Sequence, residues 1–280
     1  MTSSTDPVPR IDLPGGVAIP QLGLGVWQVP KEDTEGVVAH ALETGYRHID
    51  TAAAYQNERG VGAAIAASGL PRDEVFVTTK VWNAAHGYDE TKAAAAKSLE
   101  RLGLDHVDLL LIHWPVPSRD LYVDTWRAFV DLRDEGLTKA IGVSNFQPAH
   151  LRRIIDETGV TPAVNQIELH PYLQQHELRE VHAELGIVTE PWSPLGQGEI
   201  LNDPVIVEIA ERVGRTPGQV IIRWHLQHGF VLFPKSKTPA RIDENFDVFG
   251  FELADADLQA VGGLDRGKRF GPDPDTFSLT

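Results

Sequence analysis

At 280 residues the chain has the length of one α/β barrel and far more than a minimal core needs. It contains no cysteine, which excludes a disulfide framework, a cysteine nucleophile and a thiolate metal site. A formal charge of −15 sets the surface against nucleic-acid phosphates and anionic membranes, so a local cluster of cations stands out. The first twenty residues carry no signal-peptide pattern, and no stretch has the ~20 apolar residues of a membrane helix. These features together predict a cytoplasmic protein.

In chain order, residues 1–9 read as a loose arm and residues 10–280 as one domain with an irregular tail beyond Arg266. The turn signal Pro14-Gly15-Gly16 within 11–19 predicts a hairpin closing the bottom of a barrel. Short, nearly continuous apolar runs follow at 22–26, 46–50, 75–79, 107–112, 139–143, 164–168, 187–190 and 231–233. They read as strands buried on both faces. Helical periodicity fills 33–44, 57–68, 90–102, 122–135, 147–156, 174–185, 204–213 and 217–227, with Gly45, Gly103 and Gly136 as stops. Thr238 and Pro239 read as the N-cap and first residue of a further helix. Strand–helix alternation implies parallel βα units, and eight of them without a linker favour a closed (β/α)8 TIM barrel. The Gly23-x-Gly25 pair has Gln28 where a third glycine belongs, so a dinucleotide fingerprint is absent.

Polar groups collect at one end of these strands: Asp50, Lys80, His113, Ser144 with Asn145, Gln166 and, after the eighth, Lys235. In a barrel of this kind that end carries the active site. Tyr55 follows just beyond Asp50. A phenol is a weak acid, and an adjacent Lys80 ammonium, held charged by Asp50, is expected to lower its pKa. With His113 to hydrogen-bond a carbonyl oxygen, the set supplies a proton donor and a small oxyanion hole. No side chain supplies a hydride, so the chemistry calls for a nicotinamide cofactor. Lys235, Lys237 and Arg241 near a helix N-terminus favour a 2′-phosphate, hence NADPH.

Several long motifs point the same way. They are GYRHIDTAAAYQNE at 45–58, VTTK at 77–80, LLIHW at 110–114, GVSNF at 142–146, NQIELHP at 165–171 and PKSKTPARIDENF at 234–246. In this order the chain resembles the aldo-keto reductases over roughly residues 10 to 275. EPWSPLGQG at 190–198 and GPDPDTF at 271–277 are most similar to the bacterial 2,5-diketo-D-gluconate reductase branch. The resemblance implies a catalytic tetrad of Asp50, Tyr55, Lys80 and His113, with Tyr55 as proton donor. It places Ser144, Asn145 and Gln166 on the nicotinamide carboxamide, Trp192 on its ring, and Ser193, Leu195 and Gln197 along the pyrophosphate. It gives Lys235, Ser236 and Arg241 to the 2′-phosphate, Glu244 and Asn245 to the adenine, and Trp27, Trp82, Asn83 and Trp114 to the substrate. The implied activity is NADPH-dependent reduction of small aldehydes and ketones, dicarbonyls and keto-sugars among them, by a monomer. Pro191 and Phe233 depart from the residues more usual in the family and read as packing adjustments.

Two other classes compete. One is an NADPH-binding regulatory subunit without useful turnover, which the complete tetrad disfavours. The other is a barrel glycosidase using Asp50 and Glu168, in which Lys80 and the Lys235 cluster have no purpose. The spacing of His170 and His176 lacks a third ligand, so no metal is expected.

Overall fold

The computed structural model describes residues 8–280. Of the N-terminal arm expected over 1–9, residues 1–7 lie outside the described residues. The predicted hairpin is present: β1 (Arg10–Leu13) pairs antiparallel with β2 (Val17–Pro20), Leu13 opposite Val17. Its turn runs through Gly15 and Gly16 at φ 91° and 79°, a left-handed conformation that a side chain resists.

The remaining elements alternate. They are β3 (Leu24–Gly25), α1 (Lys31–Thr44), β4 (His48–Asp50), α2 (Glu58–Ala67), β5 (Phe76–Val81), α3 (Tyr88–Leu102), β6 (Val107–Ile112) and α4 (Tyr122–Asp134). Then come β7 (Thr138–Ser144), α5 (Pro148–Thr158), β8 (Val164–Glu168), α6 (His176–Leu185), β9 (Val188–Trp192), α7 (Pro204–Val213) and α8 (Pro217–Gln227). The chain ends with α9 (Pro239–Phe246) and α10 (Asp255–Gly262), the latter unforeseen in the sequence.

Strands β3 to β9 form one parallel sheet in sequential order. The expected eighth strand at 231–233 is not a regular strand but occupies that stave. Val231 N–H donates to Thr189 O of β9 at 3.3 Å, and Leu232 N–H donates to Gln21 O at 3.0 Å. Bridges Leu22↔Leu232 and Gly25↔Lys235 join it to the β3 side and curl the sheet into a ring. A side chain at Gly25 would bring its Cβ to 2.6 Å from Phe233 O, so the seam closes only over glycine.

The period of two along each strand sorts the barrel interior into layers. At the hairpin end Phe76, Leu109, Leu111, Ala140, Val164 and Val231 pack on Leu13 and Ile19 as a dry plug. Continuing up the same faces, the inward positions become Asp50, Lys80, Ser144, Gln166 and Glu190, all buried. The outward residues, such as Ile49, Val77, Leu110, Ile112, Ile141 and Ile167, pack into the core shared with the helices. A greasy base beneath a polar rim is the arrangement that positions the site. Among the described residues no helix is long and apolar enough to cross a membrane.

Candidate functional site

Four of the predicted residues meet at the rim. Asp50 ends β4, and the chain turns at once into a single 3₁₀ turn, Ala53–Tyr55, which carries Tyr55 back over the barrel mouth. Lys80 points inward from β5, its Nζ 2.7 and 2.8 Å from the Asp50 carboxylate oxygens and 2.8 Å from Thr51 O. Tyr55 Oη lies 3.5 Å from the same ammonium. His113 follows β6, with its ring edge-on to Tyr55 at 5.7 Å and to Trp82 at 5.2 Å.

The electrostatics differ from expectation at one point. Burial pushes the Tyr55 phenol up; the Lys80 charge opposes this, Asp50 reinforces it, and the net direction is upward. The predicted lowering fails because burial of the phenol, helped by the Asp50 charge, outweighs the opposing pull of the Lys80 ammonium. Tyr55 therefore keeps its proton at rest. Burial favours neutral Lys80, but Asp50 and Tyr55 outweigh it and hold the ammonium charged. Burial, then Lys80 and His86, hold His113 well below its ordinary value, so its ring is neutral. The group can deliver a proton from Tyr55 to an oxygen, stabilise the resulting phenolate with Lys80, and orient that oxygen with an uncharged imidazole.

The predicted carboxamide-binding residues form the neighbouring arc. Ser144 Oγ donates to Gln166 O at 2.9 Å. Asn145, at φ 64°, donates from Nδ2 to His113 O and Ser144 Oγ, both at 3.0 Å, and its Oδ1 accepts from Trp192 Nε1 at 2.8 Å. Gln166 Nε2 donates to Asp50 at 3.0 Å and to Glu190 at 3.1 Å. These side chains knit the rim together as well as facing its mouth. Trp192 is held at both ends, by Asn145 and by Gly271, where an added Cβ would stand 2.3 Å from the indole edge.

Ser193, Leu195 and Gln197 lie on the loop after β9; Ser193 and Gln197 take φ 49° and 54°, and Leu195 is half-buried. Lys235, Lys237 and Arg241 are exposed, and Ser236 is buried. The acids nearby are already engaged. Asp243 pairs with His40 at 2.8 Å, Glu244 accepts from the Thr216 hydroxyl at 2.8 Å, and Asp247 pairs with Arg215 at 2.5 Å. The three cations thus stand available to an anion beside the α9 N-terminus, and Asn245 is buried within that helix. Thr238 occupies the N-cap position but makes no side-chain cap bond; instead its N–H donates to Ser236 Oγ at 3.1 Å. The polar rim and the exposed cations at the α9 N-terminus are groups of the kind that could hold a phosphorylated dinucleotide.

Of the predicted substrate residues, Trp82 packs on His113 at 5.2 Å and Trp114 on Trp192 at 6.4 Å, and Trp27 is 45 % exposed. Asn83 is buried and donates to Leu279 O at 2.7 Å, which ties it to the tail, while its Oδ1 has no partner among the described residues. The tail supplies what sequence reasoning missed: Phe277 packs on Trp114 at 4.3 Å. Glu168, fully buried, latches that tail by accepting from Phe270 N–H at 2.6 Å, Gly271 N–H at 3.1 Å and Arg269 at 3.3 Å. Burial alone would raise this carboxyl, but the bonds from His170 and the tail backbone hold it below its ordinary value. A carboxylate so committed has no lone pair to spare for glycoside chemistry. Among the described residues no cluster of His, Asp or Glu is placed to hold a metal.

Comparison with known proteins shows the family. The profile of the Aldo/keto reductase family matches residues 19–266. An aldo-keto reductase of Mycolicibacterium smegmatis is 61% identical over 272 residues, covering 97% of this chain and 99% of its own. Methylglyoxal reductase DkgA of Escherichia coli is 52% identical over 269 residues, with 95% and 97% covered. The crystal structure of a Gox0644 variant in complex with NADPH superposes with a TM-score of 0.95 at 49% identity, covering 98% of this chain and 100% of that one. The chain belongs to the aldo/keto reductase family.

Proposed function

We propose that the protein reduces small aldehydes and ketones to alcohols with NADPH, dicarbonyls such as methylglyoxal and keto-sugars being the substrate class. The observation that carries this reading is the buried Asp50–Lys80 pair with the protonated Tyr55 hydroxyl 3.5 Å from its ammonium. The methylglyoxal reductase relatives and the NADPH-bound relative support the substrate class and the cofactor.

NADPH, when bound, supplies the hydride. Lys235, Ser236 and Arg241 would hold its 2′-phosphate, and Ser193, Leu195 and Gln197 its pyrophosphate. Glu244 and Asn245 would meet the adenine, Trp192 the ring face, and Ser144, Asn145 and Gln166 the carboxamide. Trp82, Trp114 and the tail aromatic Phe277 exclude water from the substrate carbonyl. Neutral His113 orients the carbonyl oxygen. Tyr55 gives that oxygen its proton, and the Lys80 ammonium stabilises the phenolate left behind. Asp50 keeps Lys80 charged and aimed.

The test is Tyr55→Phe, assayed by NADPH oxidation with methylglyoxal, phenylglyoxal and a keto-sugar acid. Turnover falls by about 10²-fold or more while NADPH affinity stays within a few-fold. Loss of NADPH binding together with activity would show that Tyr55 is misassigned. Normal binding by the wild type with no turnover on any carbonyl would replace the enzyme reading with a regulatory one.

A further inference from the structure

Glu190 is a buried acid outside the tetrad that the chemistry above does not use. It lies on β9 directly opposite Gln166 of β8, in register, and is completely enclosed. Its Oε2 accepts from Gln166 Nε2 at 3.1 Å, and its Oε1 has no partner among the described residues. The second hydrogen of the same NH2 group goes to Asp50 Oδ2 at 3.0 Å, an oxygen that also accepts from Lys80 at 2.8 Å.

A carboxamide has two ends of similar shape and opposite hydrogen-bonding character. Here both hydrogens of the nitrogen end are consumed by two separate carboxyl groups on β4 and β9. The oxygen end is thereby left free of both carboxyl groups, and among the described residues nothing donates to it. We infer that Glu190 is a positioning residue that sets which end of Gln166 is presented to the cofactor, an acceptor oxygen rather than a donor. This inference rests on the proposed contact between Gln166 and the nicotinamide carboxamide, whose NH2 such an oxygen would accept.

The chemistry of Glu190 suits the task. The charged groups that face it are Asp50 and Lys80. Burial, reinforced by the Asp50 charge, pushes its carboxyl up to about 8. At neutral pH it is uncharged; with its proton on Oε1, its Oε2 is an acceptor for Gln166 that adds no second negative charge beside Asp50. Asp50 alone is a weaker guide, because its Oδ2 is shared with Lys80. Without Glu190 one N–H of Gln166 would be buried with no acceptor, and Asp50 alone would be left to hold the amide's orientation.

The experiment measures equilibrium binding of NADPH, by quenching of protein fluorescence, against its reduced 3-acetylpyridine analogue, in which a methyl group replaces the carboxamide NH2. The wild type is expected to prefer NADPH by about tenfold, since the Gln166 oxygen loses its donor in the analogue. In Glu190→Leu, NADPH binding weakens roughly fivefold and the preference shrinks to about twofold. Glu190→Gln keeps an acceptor oxygen and restores both to within about twofold of the wild type. An unchanged preference in Glu190→Leu, with the fold intact by circular dichroism, overturns the inference. Loss of the preference in Glu190→Gln as well overturns it too, because the acceptor oxygen would then not be what matters. Gln166→Leu separates the two readings. If it leaves NADPH affinity and the preference unchanged, the proposed carboxamide contact itself is wrong. If it abolishes the preference while Glu190→Leu does not, only the role of Glu190 fails.

Discussion

Lys80 and Asp50 form a two-pronged ion pair at 2.7 and 2.8 Å, both side chains buried at the top of the barrel. Such a pair is costly to break and cheap to replace whole. Lys80→Met leaves the Asp50 carboxyl enclosed without its cation, and should lower unfolding free energy by about 3–5 kcal/mol in urea titration. The double variant Lys80→Met/Asp50→Leu should recover most of that stability and none of the activity. Equal stability loss in single and double variants would mean that the pair is not the source of the cost.

The cofactor's phosphate gives a second prediction. Lys235 and Arg241 are exposed beside the α9 N-terminus while the neighbouring acids are paired elsewhere. Lys235→Ala and Arg241→Ala should each weaken NADPH binding about tenfold, the size of one charge-assisted hydrogen bond. NADH binding should change little. Equal losses for both nucleotides would remove the 2′-phosphate assignment.

The tail offers a third. Phe277 rests on Trp114, and Glu168 fastens the segment before it. Phe277→Ala should raise KM for an aromatic dicarbonyl roughly fivefold by removing one wall of the pocket, leaving the NADPH dissociation constant unchanged. Glu168→Gln should do the same and also raise proteolysis of the tail. A change in NADPH affinity without one in KM would place Phe277 on the cofactor side.

Stability against pH should peak near neutrality. Burial holds His48 and His225 at about 3, and His86 and His182 at about 4. These histidines bind fewer protons folded than unfolded, so each removes stability as pH falls below its unfolded value of ~6.5. Glu190, held at about 8, has the opposite sign. Its folded pKa is raised, so its contribution is complete below its unfolded value and is lost as pH rises towards 8; Asp50, also raised by burial, acts in the same direction. The four histidines outweigh these acids on the acidic side. Chemical denaturation from pH 4 to 9 should therefore show a maximum near ~6.5 and a shallow decline to 8, flattened in Glu190→Gln. A decline that persists unchanged in that variant would clear Glu190 of the alkaline effect.

Much of this architecture is written locally. Alternation along 76–80 puts Phe76, Thr78 and Lys80 on one face of β5, and the same period carries Leu109 and Leu111 to His113, and Val164 to Gln166. Each strand thus encodes its own dry base and polar tip, because successive side chains point to opposite faces. Parallel connection then brings the tips to one end. The tetrad could be read for that reason, one residue per strand end or just beyond.

What could not be read depends on contacts between distant segments. The seam 231–235 lacks strand regularity and closes the ring only through its neighbours on both sides. Asn83 meets Leu279, Phe277 meets Trp114 and Glu168 meets Gly271, partners that no periodicity links. The phenol's upward shift is of the same kind: sequence placed a cation near Tyr55, but only the packed barrel buries the phenol deeply enough to outweigh it. Chain-local sterics and hydrophobic period determine elements and faces, whereas burial, pairing and charge balance arise only when those faces close on one another.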